Sequence, residues 1–163
     1  MLIVFSGLPG SGKSTIATAL ARQISAVHIR IDTIEQALRD AGQAVDVAGY
    51  LAGYGVARDN LRVGHTVIAD CVNPIAETRN SWRAIGDGIG VQVFDVEVVC
   101  GDELEHRRRI ETRTGDIPNL KQPTWADVQD RQYQPWDHGV ITVDTAGRAV
   151  DDCVRELAGR LPQ

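Results

Sequence analysis

A chain of 163 residues encloses one hydrophobic core and leaves no length for a second, so residues 1–163 are read as a single domain. Its net charge of −5 argues against a protein that coats nucleic acid and for a small or locally held ligand. Cys71, Cys100 and Cys153 lie far apart with no CxxC pair, which speaks against a disulfide framework or zinc site and for reduced thiols in a cytoplasmic protein. No apolar run approaches the ~18 residues of a membrane span and the first residues read as a core strand, so neither secretion nor membrane anchoring is expected.

The apolar run LIVF at 2–5 reads as a strand covered on both faces. It leads into GLPGSGKST, residues 7–15, and then into helical spacing over 13–24. Gly7, Gly12, Lys13 and Ser14 satisfy G-x-x-x-x-G-K-[ST] in the strand-loop-helix context that a phosphate cradle requires. The whole loop, Gly7, Leu8, Pro9, Gly10, Ser11, Gly12, Lys13, Ser14 and Thr15, is expected to wrap the phosphates of a nucleotide. Backbone N–H groups and the helix N-terminus would supply the donors, with Lys13 on the β/γ-phosphates and Ser14 on magnesium.

A second strand at 27–31 delivers Asp32 to the sheet edge at which open α/β sheets bind ligands. There Asp32 either orients the proton of an attacking hydroxyl or, with Glu35 three residues on, starts the helix read at 33–39 in a capping-box manner. Within the helical segment 47–63, Tyr50, Tyr54 and Arg58 recur every fourth residue, a stripe that lines an acceptor pocket or packs half-buried. A third strand, 66–69, ends at Asp70, placed either to support magnesium from a neighbouring strand or to cap a turn. Cys71 stands where motor-type hydrolases carry a glutamate, so no water-activating base follows and transfer to another acceptor is favoured over hydrolysis. Asn73 and Arg79, near the helix read at 75–85, are further acceptor candidates.

After a fourth strand at 91–99, the helical segment 102–114 carries HRRRIETR. Arg109 and Arg113, four apart, would share a face and grip a triphosphate as a lid around 105–123 closes. The alternative is a solvated helix with Glu105–Arg109 and Arg107–Glu111 pairs. Gly115 and two prolines interrupt 114–123, and Trp125, Tyr133 and Trp136, in and after the helix read at 124–132, are expected to pack the last helices. A fifth strand, 140–143, precedes DTAG at 144–147 and a final helix at 149–161. DTAG resembles the γ-phosphate sensor of small GTPases, but it follows the last strand and no NKxD motif exists, so that reading is set aside. The four histidines have no ligand-like spacing. Strands alternating with helices imply a parallel sheet covered on both faces.

GLPGSGKST, RID at 30–32, IADCVNP at 68–74, HRRRIETR and the stretch from PTWADVQD to QPWD together resemble the small P-loop kinases of the nucleoside-monophosphate-kinase-like group. Within it, the chain is most similar to the AAA-type predicted kinases labelled adenylylsulfate-kinase-like. The order of P-loop, Asp32, Asp70 with Asn73, and arginine-rich segment also resembles the kinase domain of phage-type polynucleotide kinase. The resemblance implies a three-layer P-loop NTPase fold with strand order 2-3-1-4-5, ATP as donor, and for Asp32 the role of the base that activates a hydroxyl. Two departures stand out. Glu35 occupies the region where polynucleotide kinase has an arginine, and no segment for stacking adenylylsulfate is evident.

The expectation is an ATP- and Mg2+-dependent kinase acting on a hydroxyl of a small molecule. Lys13, Asp32, Arg109 and Arg113 would be catalytic and Ser14 and Asp70 would hold the metal. Asp32, Tyr54, Arg58, Asn73 and Arg79 would meet the acceptor. The alternatives are a polynucleotide or RNA 5′-hydroxyl kinase, and a nucleotide-gated, toxin-like or switch module.

Overall fold

The computed structural model describes residues 1–162. Five strands, β1 (Leu2–Ser6), β2 (Val27–Arg30), β3 (Val67–Asp70), β4 (Val93–Val99) and β5 (Ile141–Asp144), form one sheet in the order β2-β3-β1-β4-β5. All four pairings are parallel, and β1 is buried along its whole length. This is the strand order that the kinase resemblance implied.

Side chains alternate along the central strand and feed two apolar layers. Ile3 and Phe5 meet Ile16 and Leu20 of α1 (Lys13–Ile24) and Val154 and Leu157 of α7 (Val150–Ala158). Leu2 and Val4 face the opposite layer, where Ala57 and Leu61 of α3 (Ala48–Arg62) and Trp82 and Ile85 of α4 (Ala76–Ile89) cover the sheet. Each large side chain so buried contributes roughly 1.5–3 kcal/mol. No helix among the described residues is long and apolar enough to cross a membrane.

Several boundaries differ from the sequence reading. Strand β2 runs into α2 (Ile31–Asp40) without a loop, because Ile31, 2% exposed, anchors the first helical turn in the α3 layer. The N-cap is therefore Arg30 and not Asp32, which overturns the capping alternative and leaves the Asp32 carboxylate in the first turn, where the helix dipole favours it. Helix α5 (Glu103–Thr112) stops one residue before Arg113, which is extended at φ −67°, ψ 139°. Two threonines flank Arg113, Thr112 spends its hydroxyl on the Arg108 carbonyl at 2.8 Å, and the turn does not propagate. Arg109 and Arg113 consequently share no helix face.

Helix α6 (Trp125–Gln129) is a short element closed by a Thr124/Asp127 capping box. Trp125 packs edge-on against His106, 5.2 Å between centroids, while Tyr133 and Trp136 lie beyond the helix. These last two stack on α4 and not on the last helices, where the sequence suggested them; their rings sit 5.0 Å and 4.0 Å from the Arg79 guanidinium. Arg79 donates to the carbonyls of Asn73 (3.0 Å), Pro135 (3.1 Å), Gln134 (2.8 Å) and Pro74 (3.4 Å), and so ties 133–136 to the start of α4. Arg79→Ala strands those carbonyls and empties the stack. It is expected to lower unfolding free energy by about 3 kcal/mol in urea titration; a loss under about 1 kcal/mol would sink this account.

Candidate active site

The P-loop turns tightly between β1 and α1. Gly10 has φ +80°, and a Cβ there would lie 2.6 Å from the Ile110 side chain, so α5 rests directly on the loop. His106 Nε2–H donates to the Pro9 carbonyl at 2.7 Å and fixes the same contact. Lys13, 6% exposed, places Nζ 3.0 Å from Asp70 Oδ1. Burial opposes its charge, but Asp70 and then Asp32 more than offset this, and its pKa is raised. Burial likewise penalises the Asp70 carboxylate, yet Lys13, His28 and Ser14 hold it well below the usual carboxylate range.

Asp70 Oδ2 is buried and accepts no hydrogen bond, with His28 Nε2 at 3.4 Å and Arg30 Nε at 3.8 Å. An orphaned carboxylate oxygen beside the Ser14 hydroxyl is a donor set that fits a hard divalent cation. Next to it, burial pushes the Cys71 thiol up to about 12, so it stays protonated and offers no base to water.

At the other end of the loop, Arg109 donates to Thr145 Oγ1 (2.7 Å), to the Thr145 carbonyl (2.9 Å) and to Glu105 (2.6 Å). Thr145 Oγ1 in turn donates to the Ser11 carbonyl at 2.7 Å, and Glu105 accepts from the Gly147 N–H at 2.9 Å. Both ion pairs of the solvated-helix alternative form, Glu105–Arg109 and Arg107–Glu111, but Arg109 also lines the cleft and joins α5, the P-loop and the DTAG turn.

A cleft of about 1800 Å³ runs from this end, past the P-loop, to α2 and α3. Asp32 opens on it, and its charge is felt at both Lys13 and Arg113. Burial lowers the pKa of the Arg113 guanidinium, opposed by Asp32 and Asp116. The Arg30 guanidinium reaches across and grips Asp116 with two bonds, 2.5 and 3.0 Å, which pins the 114–123 segment to the end of β2. Tyr50 and Tyr54 line the cleft and pack at once. Tyr50 Oη accepts from the Asn73 N–H at 3.2 Å, and Tyr54 donates to the Thr78 carbonyl at 3.4 Å with its ring against Trp82.

Three acceptor candidates are corrected. Arg58 is exposed and off the cleft, because each four-residue step overshoots a helical turn by about 40° and two steps carry it around α3. Asn73 is wholly buried at φ +51° and donates Nδ2–H to Ser6 Oγ at 3.0 Å, a brace for the turn after β3. Arg79 is the buried staple described above.

The model of a family described as an AAA domain matches residues 2–135. The chain belongs to this AAA domain family. A relative from Aeropyrum pernix named "Probable adenylyl-sulfate kinase" is 25% identical to the AAA domain protein over 170 residues, spanning 96% of this chain and 90% of the relative. The Mycobacterium tuberculosis APS kinase CysC in complex with AMPPNP and APS superposes with a TM-score of 0.75 at 21% identity, over 97% of this chain and 95% of that one. A gluconokinase from Sinorhizobium meliloti gives 0.68 at 21% identity, over 96% and 89%. The resemblance to P-loop kinases of the nucleoside-monophosphate-kinase-like group is borne out.

Sequence reasoning missed three groups at or behind this AAA domain's cleft: Thr145 and Arg30, which line it, and His28, which stands against Asp70. Thr145 and Arg30 each sit at the carboxyl end of a strand, the place where such sheets bind ligands, and that position was the available signal. His28 carried none, whereas Glu105 was legible as the partner of Arg109, though not its bond to the Gly147 N–H.

Proposed function

We propose that this P-loop kinase transfers the γ-phosphoryl group of ATP to a hydroxyl of a small molecule. The observation that carries the reading is Asp32, a carboxylate free of capping duty that faces the cleft within the field of Lys13. The acceptor oxygen forms its bond to the γ-phosphorus as the bond from that phosphorus to the β-bridging oxygen breaks. The leaving electron pair stays on ADP, and the acceptor's proton passes to Asp32. Lys13 neutralises charge on the β/γ-phosphates, Arg113 approaches the transferring group from the lid side, and Arg109 secures the loop that holds the nucleotide. Ser14 and Asp70 would hold Mg2+, which supplies charge neutralisation between the β- and γ-phosphates.

Cys71, protonated beside Asp70, offers water no base of its own. A nucleic-acid acceptor is disfavoured by the acids of the α2–α3 wall, Asp32, Glu35 and Asp46, since phosphate backbones need cations there. The test is magnesium-dependent ADP release with and without hydroxyl acceptors, including sugars, nucleosides, amino alcohols and 5′-hydroxyl oligonucleotides. One small acceptor should stimulate release; release that ignores every acceptor supports a hydrolase or switch instead, and stimulation by oligonucleotides alone supports an end kinase.

A further inference from the structure

The acceptor half of the cleft has a definite chemistry. Asp32 and Glu35 lie three residues apart on α2, so both face the cleft about 5–6 Å from one another at Cβ. Glu35 is a built feature: its stem lies where a Cβ at Gly49 of α3 would be, 2.4 Å from Cγ, and only a glycine admits it. Its side chain is 20% exposed.

Beside these carboxylates, Val47 and Leu51 present 60% and 61% of their surface while lining the cleft, one turn apart on the same wall as Tyr50 and Tyr54. Apolar side chains left this exposed inside a cleft form a shelf for an apolar ligand frame. Among the described residues of that wall, from α2 to the start of α4, the cleft meets four acids, Asp32, Glu35, Asp46 and Glu77. It meets one cation, Arg39, already spent on Glu35 at 3.0 Å.

The opposite side is mixed. Arg113, Lys121 and Arg131 face the cleft there, in company with Asp116, Asp127 and Asp130. Arg131 is close enough to act on Glu35, yet the pKa of the Glu35 carboxyl remains raised, by burial foremost and by Asp32 in part. By its lining the wall is short of positive charge, with four acids to one arginine. A sulfate, carboxylate or phosphate on the acceptor would find no unpaired cation on that wall and would have to reach across the cleft to Arg113, Lys121 or Arg131.

We propose that the acceptor is an amino alcohol on an apolar frame, with its hydroxyl at Asp32, its ammonium sharing the Glu35 carboxylate with Arg39 about one helical turn away, and its ring or chain on Val47 and Leu51. The assignment rests on the kinase reading for the role of Asp32, but its charge preference is measurable without turnover.

The probes are meta-(aminomethyl)benzyl alcohol, meta-benzenedimethanol and meta-(hydroxymethyl)benzoate, which share a hydroxyl and a ring and differ in charge. Each is titrated calorimetrically into the full chain held with ADP and Mg2+. The amine should bind at least about tenfold more tightly than the carboxylate, with the diol between them. The phosphates of ADP favour the amine in any site, and removing Glu35 alone would free Arg39, so the deciding variant is Glu35→Gln, an isostere that Gly49 accommodates, made and compared in an Arg39→Gln background. It should bring the amine-to-carboxylate ratio to within about threefold. A ratio unchanged in Glu35→Gln, a carboxylate that binds as tightly as the amine, or no binding by the amine up to about 10 mM would each overturn the proposal. Failure of the kinase reading would look different: ADP release would ignore acceptors while the charge ranking persisted.

Discussion

Asp32→Asn is expected to lower acceptor-stimulated turnover by about 10²–10⁴-fold and to leave ATP affinity within about twofold. The asparagine keeps the size and the place in the first turn of α2 but cannot take the acceptor's proton. No bond to the P-loop involves this side chain, so the donor half of the cleft keeps its form. Parallel measurement of kcat and of equilibrium ATP binding checks both halves. A loss of turnover below about tenfold would assign Asp32 to positioning and remove it as base.

Lys13→Ala is expected to act twice. Catalysis falls by about 10²–10³-fold, because a donor aimed at the transferring charge is gone. Stability falls as well, by about 3–5 kcal/mol, because Asp70 is left buried without its ammonium. Adding Asp70→Asn should recover most of the stability and none of the activity, which separates the two effects in one set of urea titrations and assays.

The pH dependence follows from the same pair. Asp70 titrates far below its ordinary 3.8 in the folded chain, so its stabilisation is complete above about pH 4 and is lost as pH falls further. Lys13 titrates above 10.5, so its share is complete below that value and is lost as pH rises through its raised pKa. The wild type should therefore show, for this pair, a plateau of unfolding free energy between those limits that Lys13→Ala lacks. Superimposable pH profiles would overturn the coupling.

Short apolar runs separated by helical spacing made all five strands legible, because a strand buried on both faces needs no alternation to be seen. GLPGSGKST and Asp70 were legible because each motif carries its own local geometry. What stayed hidden depends on contacts between distant segments. Arg79 and Asn73 lie near Asp70 in sequence and invited an acceptor role, yet Arg79 is claimed by residues 133–136 and Asn73 by Ser6, which no local pattern announces. Arg113 left its helix through the preferences of Thr112 and Thr114, a balance too fine for a four-residue spacing rule. Thr145 was visible inside DTAG but was discarded with the GTPase reading; its hydroxyl works on Ser11 and Arg109 instead.

The two apolar layers also bear on how such a chain diversifies. The nucleotide end of the cleft stands on the α1–α7 layer, whereas Glu35, Tyr50, Leu51 and Tyr54 stand on the α3 side of the sheet. Val47 and Leu51 are exposed and can change without disturbing the sheet, whereas Tyr50 is tied through Asn73 to Ser6 at the mouth of the P-loop. A lineage can thus change what it phosphorylates by drift on one face while inheriting its phosphate donor intact on the other.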